Sequence, residues 1–239
     1  MNTGPVNARS SDLAANLAAV DDRIARACAE AGRDRAEVTL VVVTKTWPAS
    51  DVRLLAELGV RDVGENRDQE AQPKAAECAD LRSLGLHWHF VGQLQTNKAR
   101  SVAGYADVVH SVDRLRLAYA LAQAAATGGR RIGCFIQVSL DGDQRRGGAL
   151  AAEIAAVAEV VAASPALDLL GLMAVAPLGI DPASSFATLA ALSVRLRADH
   201  SGASAISAGM SGDLEAAISA GATHVRVGSA VLGGRPPLR

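Results

Sequence analysis

Apolar residues follow two alternating rhythms along this chain. Short β-branched runs recur at VTLVVVT (38–44), VRDVGEN (60–66), WHFVGQ (88–93), DVVHSVD (107–113), IGCFIQVSL (132–140), LLGLMAVA (169–176), ASAISAG (203–209) and THVRVGS (223–229). Between them lie longer Ala-rich stretches with helical periodicity. The first and fifth runs are almost unbroken apolar sequence, which suits parallel strands buried on both faces. Over 150–161, Leu150, Ile154, Val157 and Val161 repeat at helical spacing. At 50–58, Ser50 is placed to cap a helix that turns Leu54, Leu55 and Leu58 inward. Ahead of the first strand, Ser11 is a cap for a helix whose stripe is Leu13, Leu17, Val20, Ile24 and Cys28, ending before Gly32. About eight βα units in ~200 residues predict an α/β protein, a single TIM-type (β/α)8 barrel with an extra N-terminal helix. A doubly wound open sheet is the competing architecture. No linker-like stretch divides the chain, so 1–239 is expected to form one domain with its ordered core over about 10–233. The polar, Gly-rich segment 141–148 is expected to be a flexible surface loop.

Composition narrows the function classes. With 24 Lys+Arg against 25 Asp+Glu the net charge is -1, which leaves no basic surplus for nucleic acid. No run reaches the ~18 apolar residues of a membrane span. The N-terminus lacks the basic and apolar regions of a secretory signal. Cys28, Cys78 and Cys134 are odd in number and far apart, as expected of reduced thiols in a cytoplasmic protein. Aromatics make up 3% of 239 residues, so the core must be built from Ala, Val, Leu and Ile.

Several strands end in a polar residue: Lys45, Asn66, Gln93 and Ser207. In a parallel barrel these ends converge on one face, where barrel enzymes place their sites. Lys45 is the first charge after seven strand residues. It reads either as a rim lysine reaching water or as a desolvated amine able to form a Schiff base. The segment 207–212, which includes Ser207 and Gly209, follows a strand and opens a helix running to about Ala220; Gly228-Ser229 follows the next strand. Small residues there let the backbone approach a phosphate, although ordinary turns use the same residues and Asp213 favours a turn. Arg226 shares a strand face with Gly228, pointing to the barrel interior or mouth, where it either neutralises a core carboxylate or meets a ligand. His87, His89 and His110 match no metal spacing and read as hydrogen-bonded structural histidines.

Taken together, these segments resemble the pyridoxal phosphate homeostasis protein family, related to the N-terminal barrel of bacterial alanine racemase. The resemblance lies in Val43-Thr44-Lys45-Thr46, Gly64-Glu65-Asn66, HFVGQLQTNK (89–98), His110-Ser111-Val112-Asp113, Gly171-Leu172-Met173, SAGMSGDL (207–214) and Val225-Arg226-Val227-Gly228-Ser229. It implies pyridoxal 5'-phosphate (PLP) carried as an aldimine on Lys45. It also implies that Ser207, Gly209 and Gly228-Ser229 hold the phosphate, with Asn66 near the ring and Arg226 at the pyridine nitrogen. Thr44, Arg67, Ala208 and Ser229 depart from the family's usual residues without removing a functional group.

Two functions follow from the resemblance: a PLP carrier in cofactor homeostasis without catalytic turnover, or a PLP-dependent amino-acid racemase. Racemisation needs a base on each face of the α-carbon. The chain is expected to lack the second domain that supplies one, and Tyr105 and Tyr119 are placed in helices outside the barrel. A permanently protonated Arg226 also weakens the ring as an electron sink. The homeostasis reading is therefore expected: a cytoplasmic monomer whose partners are PLP and PLP-accepting apo-enzymes or amines, with no metal, membrane or nucleic acid.

Overall fold

Each β-branched run forms a strand of a closed parallel barrel in the order β1-β2-β3-β4-β5-β6-β7-β8. A computed structural model describes residues 5–143 and 146–234. The strands are β1 (Thr39–Val43), β2 (Asp62–Glu65), β3 (His87–Phe90), β4 (Val108–Val112), β5 (Ile132–Gln137), β6 (Leu167–Met173), β7 (Ala205–Ser207) and β8 (His224–Val227). The helices that follow them are α2 (Ala49–Glu57), α3 (Asp68–Glu77), α4 (Ala99–Tyr105), α5 (Leu115–Thr127), α6 (Ile154–Ala163), α7 (Pro182–Asp199), α8 (Leu214–Ser219) and α9 (Ser229–Leu232); α1 (Pro5–Glu30) precedes β1. The barrel closes through four registered β1–β8 pairs, from Thr39 with His224 to Val42 with Val227. This is a TIM-type (β/α)8 barrel with an added N-terminal helix; no open sheet forms.

The buried apolar groups form two clusters, a large one running from α2 round to α8 and a smaller one where α1 packs over β1, α8, β8 and α9. In β5 the expected burial on both faces holds: Ile132, Cys134, Phe135 and Ile136 are all fully buried. The stripe on α1 packs as its spacing dictates, with Leu13, Val20, Ile24 and Cys28 covering Val42, Val225, Val227, Leu214 and Ile218. That helix closes in a Schellman turn: Gly32, at φ +66, donates to Ala29 O, and Arg33 N donates to Cys28 O. Among the described residues no helix is long and apolar enough to cross a membrane, and all three cysteines are free and buried.

Four local expectations are corrected. Ser11 lies inside α1, because no Gly or Pro interrupts 6–30 and the helix starts earlier. Ser50 lies in the first turn of α2, whose N-cap position is Pro48 with no side-chain bond. The buried face of α2 is Ala49, Asp51, Val52, Leu55 and Ala56, while Leu58 is exposed; the helix is turned so that Asp51 meets Arg9 at 2.6 Å. Leu150 falls in the turn before α6, where its N–H donates to Glu153. The loop 141–148 lies mostly at the surface and is anchored at its far end, where Gly148 N donates to Asp113 Oδ2 and Val138 bridges Ala149; 144–145 lie outside the described residues.

The α7 N-cap supplies a modest stability test. Asp181 accepts from Ala183 N and Ser184 N, so Asp181→Ala is expected to cost about 1 kcal/mol. Urea unfolding should show a lower midpoint with an unchanged slope.

Candidate functional site

The C-terminal ends of β1, β2, β3, β6, β7 and β8 open onto a cavity of about 440 Å3. Its wall includes Lys45, Asn66, Ser211, Gly212, Arg226, Gly228 and Ser229, with Val43, Trp47, Val91, Val175 and Met210 supplying apolar surface. That size and mixture suit a small ligand, for which sites of roughly 300–1,000 Å3 are usual.

Lys45 is presented by a tight turn in which Trp47 N donates to Thr44 O. The turn holds Thr46 at φ +70, a left-handed conformation that a β-branched residue adopts only under constraint. Helix α3 supplies that constraint. Glu70 Oε2 accepts from Thr46 N at 3.2 Å, and Lys74 Nζ donates to Thr44 O at 2.9 Å. Lys74 also donates to Glu65 Oε1 at 2.5 Å, which accepts the Thr44 hydroxyl at 2.6 Å. Burial pushes the Glu65 carboxyl above the usual carboxylate range, only partly offset by Lys74 and Thr44. The chain has three lysines. Lys74 is buried in this pair and Lys98 faces Asp68 at 3.6 Å, so Lys45 is the lysine that lines the cavity.

The wall beside the lysine strand is made of small residues and hydroxyls. Ser211 Oγ and Ser229 Oγ lie 3.3 Å apart. Gly228 sits where a Cβ would come within 3.1 Å of Val43 O, so the chain leaving β8 runs close beside the lysine strand. Asp213 is an N-cap by position, but its carboxylate turns back to accept from Met210 N at 2.6 Å and shapes the turn. Helix α8 ends at Ser219, one residue short of the expected end.

Arg226 enters from below. Its Nη1 donates to Ser207 Oγ at 2.5 Å and Nη2 donates to Ala174 O at 3.0 Å. Both are neutral acceptors, so the core-carboxylate alternative does not hold. Burial lowers Arg226 to about 10, with Asp213 acting in the other direction, and it stays protonated at neutral pH.

The structure thus brings Lys45, Asn66, Arg226, Gly228 and Ser229 together. It does not bring Ser207 or Gly209 to the cavity. Ser207 is fully buried beneath Arg226, with its hydroxyl engaged by Arg226 and His110. Gly209, at φ +89, serves the turn itself, where a Cβ would lie 2.7 Å from Ala217. Gln93 is exposed and stands apart from the lining. The histidines are hydrogen-bonded, His89 to His110 and both His87 and His89 to Asp62. No group of metal-ligating residues occurs among the described residues. Both tyrosines lie in helices outside the barrel as expected, Tyr105 buried at the end of α4 and Tyr119 exposed on α5. Ser211 went unassigned in sequence because it sits past the strand end, where turn and ligand contacts use the same residues.

Residues 15–236 match the family model for the alanine racemase N-terminal domain. The chain is 45% identical over 240 residues to a pyridoxal phosphate homeostasis protein of Mycobacterium leprae, covering 94% of this chain and 93% of that protein. It is 38% identical to one of Escherichia coli, covering 94% and 97%. Among solved structures, PipY of Synechococcus elongatus PCC7942 with PLP bound superposes with a TM-score of 0.80 at 33% identity, covering 92% of this chain and all of that one. Alanine racemase of Corynebacterium glutamicum shares the fold alone, with a TM-score of 0.66 at 17% identity. The chain therefore belongs to the pyridoxal phosphate homeostasis protein family, built on the alanine racemase N-terminal barrel.

Proposed function

We propose that this cavity binds PLP and that the protein stores and hands on the cofactor without turning over amino acids. One juxtaposition carries the reading: an amine, a pair of hydroxyls beside a glycine, and a buried guanidinium line a single cavity. These groups fit a planar phosphorylated aldehyde. The chemistry available there is condensation of an aldehyde with an amine. In this reading Lys45 Nζ makes the covalent attachment, and Ser211, Gly212, Gly228 and Ser229 receive the phosphate. Asn66 borders the ring. The protonated Arg226 can only donate, so it keeps the ring nitrogen unprotonated and the ring a weak electron sink.

A second proton acceptor would be needed for racemisation. Of the described residues lining the cavity, only Lys45 and Arg226 are titratable, and neither tyrosine is among them. Release to amines or PLP-accepting apo-enzymes requires no such base. Three buried free thiols accord with a cytoplasmic setting.

The phosphate subsite is testable by comparing PLP with pyridoxal, which lacks the phosphate. A hydrogen bond to a charged group is worth about 1.5–3 kcal/mol, or roughly 10- to 150-fold in affinity. Because Ser229 is exposed and Ser211 half-buried, Ser211→Ala and Ser229→Ala should each weaken PLP near the lower end of that range. Pyridoxal binding should barely change. Equal losses for the two ligands would remove the phosphate from this wall.

A further inference from the structure

The barrel interior is chemically unusual. TIM barrels normally fill this space with layers of branched apolar side chains. Here His89, His110 and Ser207 occupy it, and all three are buried. Phe135 stacks on His110 with ring centroids 4.6 Å apart, and His224 stands edge-on to Phe135 at 5.1 Å. A buried polar cluster is worse than an apolar core unless every member is satisfied, so the connectivity of this one matters.

The contacts form one continuous path through the interior. Asp62 Oδ1, at the start of β2 and on the mouth opposite the cavity, lies 2.9 Å from His89 Nε2. His89 Nδ1 lies 2.9 Å from His110 Nε2, and His110 Nδ1 lies 2.8 Å from Ser207 Oγ. Ser207 Oγ accepts from Arg226 Nη1 at 2.5 Å. Elimination then fixes each proton. A carboxylate only accepts, so His89 carries a proton on Nε2; were Nδ1 protonated too, Ser207 Oγ would accept from both His110 and Arg226 and its own proton would have no partner, so His89 accepts at Nδ1. His110 must then donate from Nε2 and accept at Nδ1, and the proton it accepts comes from the Ser207 hydroxyl. A guanidinium only donates, and it fills the remaining lone pair of Ser207. No donor faces a donor and no acceptor faces an acceptor.

We propose that Asp62, His89, His110 and Ser207 form a hydrogen-bond chain of fixed direction that spans the barrel and holds the Arg226 guanidinium in place beneath the cavity. They are positioning residues, since none of them lines the cavity. The environment of each end agrees with this polarity. Burial lowers His110 well below the usual imidazole value, with the Arg226 charge adding to the shift, so it is neutral. Burial acts to raise Asp62, but the hydrogen bond from His89 opposes it and the carboxyl stays below the usual range. The path therefore joins a fixed anion at one mouth to a fixed cation at the other through neutral groups. The link from Arg226 to the cofactor rests on the proposed function above; the direction of the chain does not.

The first test needs no ligand. Ring-nitrogen NMR of the histidine-labelled wild-type protein at pH 7 should find His89 and His110 neutral, with Nε2 protonated and Nδ1 bare. Asp62→Ala should shift the ring nitrogens of both. Asp62→Asn keeps an acceptor oxygen and should restore the wild-type pattern. A His110 protonated on Nδ1, or unmoved nitrogens in Asp62→Ala, would overturn the chain, and the wild-type spectrum alone decides the direction even if the variant fails to fold. In the second test, Asp62→Ala should weaken PLP about 2- to 10-fold, the range of one lost hydrogen bond, and move the visible absorbance of the bound cofactor. If wild type binds PLP and Asp62→Ala alters the imidazoles but neither affinity nor absorbance, the positioning role is overturned. If wild type does not bind PLP at all, the functional reading fails while the chain direction stands on the NMR result.

Discussion

Replacing Lys45 with Ala is expected to abolish borohydride fixation of PLP and to weaken its binding on the order of 100-fold, the scale gained when a second attachment becomes intramolecular. Binding should persist at this lower level, because Ser211, Ser229, Gly228 and Arg226 still line the cavity. The test is clean because amines are scarce. Of the three lysines, Lys74 is buried against Glu65 and Lys98 faces Asp68, so neither is placed to substitute. The variant should fold normally, since Lys45 is half-buried at a cavity edge and α3 holds its turn through the backbone of Thr44 and Thr46. Titration of wild type and Lys45→Ala with PLP, followed by absorbance, checks both parts. A visible band of wild-type position and strength in the variant would place the attachment elsewhere.

The largest stability effect is expected at Lys74, which touches no part of the cavity. Lys74→Met keeps most of the stem volume but leaves the fully buried Glu65 without its cation. Breaking a buried pair from one side costs about 3–5 kcal/mol. It also removes the donor to Thr44 O, so the lysine turn should loosen and PLP affinity fall secondarily. The cost has a defined pH dependence. Burial already raises Glu65 above its unfolded value, and losing Lys74 removes an opposing influence. The folded variant therefore takes up a proton that the unfolded chain has released, which makes ionisation costly and protonation stabilising. Its deficit relative to wild type should be greatest at pH 8 and should narrow as pH falls towards the ordinary carboxylate range. Urea midpoints across that interval read this directly, and a deficit that does not change with pH would show that Glu65 is not the group responsible.

The barrel was legible in sequence because its signals are local. Eight β-branched runs separated by helical stripes need no knowledge of distant contacts, and the α1 stripe from Leu13 to Cys28 packs as its spacing dictates. Element ends were less legible, since Ser11 and Ser50 have the chemistry of caps yet lie within their helices. In the site, Lys45, Asn66 and Gly228-Ser229 follow strand ends directly, and the barrel brings every strand end to one mouth. Ser207 follows the same rule and still misses the cavity. It is the last residue of β7 and its side chain points inward, under Arg226, while the chain reaches the cavity three to five residues later at Met210, Ser211 and Gly212. The alternation that put Arg226 on the inner face also puts His224 there. The contacts that complete this interior join His89 to His110 across 21 positions and His110 to Ser207 across 97. Pairings at such separations are set by barrel closure and leave no trace in local spacing. The same holds for Glu65 and Lys74, whose nine-residue separation matches neither helical nor strand periodicity.

Peptide mapping of the wild-type protein after incubation with PLP and reduction with borohydride tests the site most directly. One modified peptide is expected, with the pyridoxyl phosphate mass on Lys45 and none on Lys74 or Lys98. A label on Lys98 or the N-terminal amine, with Lys45 unmodified, would contradict the assignment of this cavity as the cofactor site.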